Sequence, residues 1–121
     1  MLDKSIVSKK YIEYHQGLTE LKKNYSGSKP FPNIVINNFF NNEFLEEVLS
    51  VFPDLSKIKS SESYNNKSQV KFANNEFDKF PLPIKKLINF MNSQNFINFL
   101  QEITSIKEKL IPDKELNGGG L

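Results

Sequence analysis

No cysteine occurs in this chain, which excludes a disulfide frame, a thiolate nucleophile and any cysteine-ligated metal. Arginine is absent too, so all 16 basic residues are lysines and no bidentate guanidinium fork is available to clamp a carboxylate or phosphate. Tryptophan is missing, and a single histidine, His15, is the whole imidazole supply. No window approaches the length of apolar chain that crosses a membrane, and the N-terminus lacks the apolar core of a signal peptide. The net charge of +2 is small and its lysines are interspersed with acids, which argues against a nucleic-acid partner. These absences predict a soluble cytoplasmic protein with a mixed, solvated surface.

What is present is aromatic. Eleven phenylalanines and four tyrosines in 121 residues supply material for one real core. Tyr11, Tyr14, Leu18, Leu21 and Tyr25 recur at alternating spacings of three and four, which predicts one helix over about 8–25, weakened at Gly17. Gly27 suits its C-cap, and Pro30 forces the preceding residue to be extended. Ile34, Val35 and Ile36 form a continuous β-branched run, the pattern of a strand covered on both faces, and Phe39 and Phe40 follow as core.

Asn41 or Asn42 is placed to cap a helix over 41–52. Glu43, Glu46 and Glu47 lie toward its positive end, and Phe44, Leu45, Val48, Leu49 and Phe52 form its stripe. The polar stretch Asp54–Ser68 reads as an exposed, mobile loop, and Val70 with Phe72 as a short half-buried strand. Pro83 opens a helix over 83–92 with Leu82, Ile84, Leu87, Ile88 and Met91 apolar. Ser93 caps another over 93–104, striped by Phe96, Ile97, Leu100 and Ile103, with Phe99 near the edge.

The chemistry-bearing residues do not converge. His15 falls close to the apolar face of its helix, where packing is its expected role. The three glutamates are accounted for by the helix N-terminus. Abundant serines lack an activating base. Gly118, Gly119 and Gly120 are costly to order and suit a sharp turn leading onward, but no GK[ST] follows, so the run is no phosphate cradle. We assign no catalytic, cofactor-binding or metal-ligating residue to the chain. The glycine run itself suggests the front part of something larger.

The order of these signals carries a resemblance. Pro30-Phe31-Pro32-Asn-Ile-Val-Ile-Asn-Asn-Phe-Phe40, the helix ending Val51-Phe-Pro53, Lys71-Phe-Ala73, Leu82-Pro83, Asn92 to Leu100, Ile103-Thr-Ser-Ile106, Leu110 to Asp113 and Leu116-Asn-Gly118-Gly119-Gly120-Leu121 follow one another. The chain from Pro30 to Leu121 resembles the N-terminal part of the iron(II)- and 2-oxoglutarate-dependent dioxygenases, in the prolyl 4-hydroxylase-like branch of bacteria and phages. The resemblance implies an α+β fold, in which a mainly helical layer supports a double-stranded β-helix (jelly-roll) barrel that is largely absent here. Residues 1–29 would be an N-terminal helix and linker, and 30–121 the support region. It further implies that iron(II) and 2-oxoglutarate serve the full-length member, held by a His-x-Asp pair, a distant His and a basic anchor, all beyond Leu121. Asn33 and Asn37 depart from the pattern, standing where such sequences often have His and Asp. The expected partner is the missing barrel, or a second copy through an exposed apolar face. The competing reading is a small non-catalytic helical interaction module.

Overall fold

Helix boundaries in this chain are set by local chemistry. In the computed structural model, which describes residues 1–13, 17–58, 62–66 and 69–117, the elements are α1 (Lys9–Ile12), α2 (Leu18–Gly27), α3 (Asn42–Val51), β1 (Glu62–Asn66), β2 (Gln69–Ala73), α4 (Leu82–Met91) and α5 (Gln94–Thr104). Short 3-10 turns lie at Leu55–Lys57 and Phe77–Lys79. The Asn41 side chain accepts from the Glu43 N–H at 2.9 Å and so starts α3, and Ser93 accepts from the Phe96 N–H at 3.2 Å and starts α5. Pro83 sits in the first turn of α4, where its missing N–H costs nothing. The fold is mainly helical, and no barrel is formed among the described residues.

Several expectations are corrected. The helix expected over 8–25 is two helices: α1 stops at Ile12, because Glu13 leaves the helical region with φ −109° and ψ 73°. Gly17 is the N-cap of α2 rather than a weak interior position, and the α2 C-cap is Ser28, one residue beyond Gly27. Ile34–Ile36 joins no sheet, and Val35 is 81 % exposed, so this run is not covered on both faces. The stretch read as a loop over Asp54–Ser68 contains the 3-10 turn at Leu55–Lys57 and the whole of β1. That strand pairs antiparallel with β2, Glu62 opposite Ala73 and Asn66 opposite Gln69.

The core draws on both ends of the chain. Leu2, Ile6 and Val7, which carried no periodic signal, are nearly inaccessible and share one cluster with Phe39, Phe44, Val48, Phe80, Ile84, Phe90, Phe99, Ile103 and Leu116. The N-terminal segment is sewn to residue 40 by a two-residue antiparallel bridge. The Ser8 N–H donates to Phe39 O and the Asn41 N–H to Ile6 O, both at 2.8 Å. Phe39 is the hub of the aromatic packing, with ring centroids 5.5 Å from Tyr11, 5.1 Å from Phe40, 6.0 Å from Phe96 and 5.6 Å from Phe99. Such ring pairs add about 0.5–1.5 kcal/mol each beyond the area they bury. Phe99 lies at the centre of this packing, not at the edge of the α5 stripe, and is fully inaccessible.

Helix α5 packs on both α2 and α4, and α4 packs on α3. Lys22 of α2 and Glu102 of α5 form an ion pair at 3.2 Å. Both side chains are largely exposed, so it contributes at most about 1 kcal/mol. The last described segment returns to the helices through side chains. Gln101 donates to Ile106 O and Glu108 O, Asn92 accepts from the Asp113 N–H at 2.7 Å, and Leu116 then drops into the core. On the other side α3 buries only Phe44 and Val48 of its expected stripe. Leu45, Leu49 and Phe52 are exposed, as are Leu82 and Met91 of α4.

Candidate functional site

Among the described residues, a groove of about 500 Å³ lies between α2 and the irregular segment 33–38. Glu20, Leu21, Asn24 and Ser28 form one wall, Asn33 to Asn38 the other, and Lys10 and Tyr11 close one end. The sequence builds both walls simply. Helix α2 turns its apolar residues Leu18, Leu21 and Tyr25 to the core and leaves its polar residues outside. In the facing segment Ile34 and Ile36 pack on the core while Val35 points to solvent, an alternation of period two.

Hydrogen bonds tie the C-terminal end of this segment to the N-terminal residues, and a local one shapes its start. The Asn33 Nδ2 donates to Phe31 O at 2.8 Å, Tyr11 Oη donates to Asn37 O at 3.1 Å, and Ser8 Oγ donates to Asn38 O at 2.7 Å. Asn38 adopts φ 54°, a left-handed turn that asparagine tolerates better than most residues, and this redirects the chain into Phe39. Among the described residues, the backbones of Ile34, Val35 and Ile36 make no hydrogen bond. The groove therefore offers amides, hydroxyls and free backbone donors and acceptors, flanked by one lysine and one carboxylate, a set suited to binding through hydrogen bonds.

The residues singled out in the sequence are scattered. Pro30, Phe31 and Pro32 are exposed and lie before the groove. Glu43, Glu46 and Glu47 are exposed on α3, with Glu43 in its first turn. His15 and Gly118, Gly119 and Gly120 lie outside the described residues. Among the described residues no three His, Cys, Asp or Glu side chains come together as a metal-binding group. Two carboxyls are held below their ordinary range by local hydrogen bonds. Asp3 receives the Ser5 Oγ–H and N–H, and Asp54 receives the Ser56 Oγ–H and its neighbour Lys57. Both are turn-forming interactions on the surface and far from forming a reactive pair.

The sequence does not mark the groove residues Asn24, Ser28, Asn33, Asn37 and Asn38 as one site. The available signal was polar residues bracketing a β-branched run, which also describes any exposed strand end. Comparison with protein-family models, with curated proteins and with solved structures finds no significant match. Among the described residues, no helix is long and apolar enough to cross a membrane.

Proposed function

We propose that this chain is the N-terminal support region of an iron(II)- and 2-oxoglutarate-dependent dioxygenase of the prolyl 4-hydroxylase-like branch, a cytoplasmic enzyme acting on a protein, peptide or amino acid. The observation that supports the reading is the ordered series of segments from Pro30 to Leu121, whose order resembles that of the family. The family's site needs two imidazoles and one carboxylate on one face of the metal, with positions left open for oxoglutarate and oxygen. Residues 1–121 contain one imidazole, so on this reading the metal ligands would lie outside them, and these residues alone are expected to be inactive. The role of this region is then mechanical: an α+β layer whose helices hold a jelly-roll barrel rigid enough for a partly open site. The exposed apolar residues Leu45 and Leu49 of α3, Phe52 just after it and Leu82 of α4 are the surface it offers to that barrel.

A second reading, a small non-catalytic helical interaction module, draws its support from the core. Leu2, Ile6, Val7 and Leu116, from opposite ends of residues 1–121, are all buried in it. The nucleotides following the Leu121 codon separate the two. An open frame encoding His-x-Asp within a few tens of residues, and a second histidine well downstream, supports the oxygenase reading. A stop codon at that position overturns it in favour of the module.

A further inference from the structure

We propose that Asn33–Asn37 is a homotypic strand-pairing edge, through which two copies of this chain associate about a two-fold axis passing between their Val35 residues. Three observations converge. First, among the described residues the backbone groups of Ile34, Val35 and Ile36 are free of hydrogen bonds, while the C-terminal flank is fixed by Tyr11 to Asn37 O and by Ser8 to Asn38 O, so the edge is anchored at that end and unpaired. An unpaired row of amides and carbonyls is a template for a further strand. Second, Ile34 and Ile36 pack on the core and Val35 stands out, 81 % exposed, so the segment already alternates as a strand does. Third, the sequence is a palindrome, Asn33-Ile34-Val35-Ile36-Asn37.

The palindrome selects a second copy over an unrelated strand. Antiparallel pairing about a two-fold axis at Val35 sets Val35 against the partner's Val35, Ile34 against the partner's Ile36, and Asn33 against the partner's Asn37. Every residue therefore meets one of its own kind or size. In the register where Ile34 and the partner's Ile36 exchange backbone hydrogen bonds, the ladder draws only on groups that are free. The valines then form the non-hydrogen-bonded pair, in which side chains approach most closely. Residues 30–42 carry no charge, so two copies approach without the like-charge repulsion that guards most exposed edges. A two-fold interface of this kind is self-complementary and closes at the dimer. The inference goes beyond the oxygenase reading and concerns these residues whether or not that reading holds.

The test uses the whole chain. Sedimentation velocity over a wide concentration range is expected to show a monomer–dimer equilibrium. Val35→Lys is expected to weaken it by more than about tenfold, since two ammonium groups would meet on the axis. Val35 is exposed, so the thermal midpoint of the monomer should not move. Leu49→Lys, on the exposed face of α3, should leave the dimer intact. Because the chain has no cysteine, Val35→Cys provides a geometric readout: on oxidation in air it should give a disulfide-linked dimer, whereas Leu49→Cys should not. A monomer at every concentration up to the solubility limit overturns the proposal. A dimer broken by Leu49→Lys but not by Val35→Lys overturns it as well.

Discussion

Replacing Phe99 by alanine probes the packing on which every other feature rests. The ring is fully inaccessible and stacks on Phe39 with centroids 5.6 Å apart and on Phe96 at 6.1 Å. Deleting a buried phenylalanine side chain costs about 3–5 kcal/mol, a sum of lost transfer energy and the void left behind. Unfolding entropy near the midpoint is about 2.1 cal/mol/K per residue, or roughly 0.25 kcal/mol/K for a chain of this length. The expected fall in thermal midpoint is therefore about 12–20 °C. Phe99→Leu, which leaves a smaller void, should fall between the variant and the parent. Phe31→Ala is the matched control, because Phe31 is 66 % exposed and its loss should stay within about 0.5 kcal/mol. Chemical denaturation followed by circular dichroism measures all three. A Phe99→Ala loss below about 1 kcal/mol, or one no larger than that of Phe31→Ala, would refute the aromatic hub.

Three further outcomes follow from local geometry. Asn41→Ala removes the acceptor for the Glu43 N–H at the start of α3 and should cost about 1 kcal/mol in denaturant unfolding, with Asn41→Ser retaining most of the stability. Gly27→Ala should raise stability by about 0.5 kcal/mol, because the position is helical and an added Cβ would meet open space. Asp3 is held below its ordinary pKa by the hydroxyl and amide of Ser5, so its contribution is present above the unfolded value near pH 4 and is lost as pH falls through the lower folded value. Stability of the parent should thus drop toward Asp3→Asn in acid, as followed by thermal unfolding from neutral to low pH. A gap between them that is constant with pH would contradict the assignment.

What could be read in the sequence was whatever is decided within a few residues. Asn41 and Ser93 cap the helices they precede, Pro83 opens α4, and Phe44 and Val48 face inward, because capping and helical periodicity are short-range rules. What failed was decided across the chain. Leu2, Ile6 and Val7 have no periodic pattern, and their burial depends on a bridge to Phe39–Asn41 about thirty residues away. Strand β1 is polar and forms only because β2 pairs with it. The run Ile34–Ile36 has the composition of a buried strand, yet its fate depends on which edge meets it, and that information is not local. Phe99 lies three residues after Phe96 and four before Ile103, so it shares their face of α5, and its central position was legible from helical spacing. The groove was legible only in part, since its polar lining comes from two distant segments, α2 and 33–38.

The functional proposal meets its most direct test in anaerobic iron(II) titration followed by a 2-oxoglutarate decarboxylation assay. It should be run on residues 1–121 and on the same chain continued in frame. Stoichiometric iron binding and oxoglutarate turnover are expected of the continued chain alone, because two imidazoles and a carboxylate must share one face of the metal and residues 1–121 supply a single imidazole. Stoichiometric iron binding with turnover by residues 1–121, or neither by the continued chain, would contradict it.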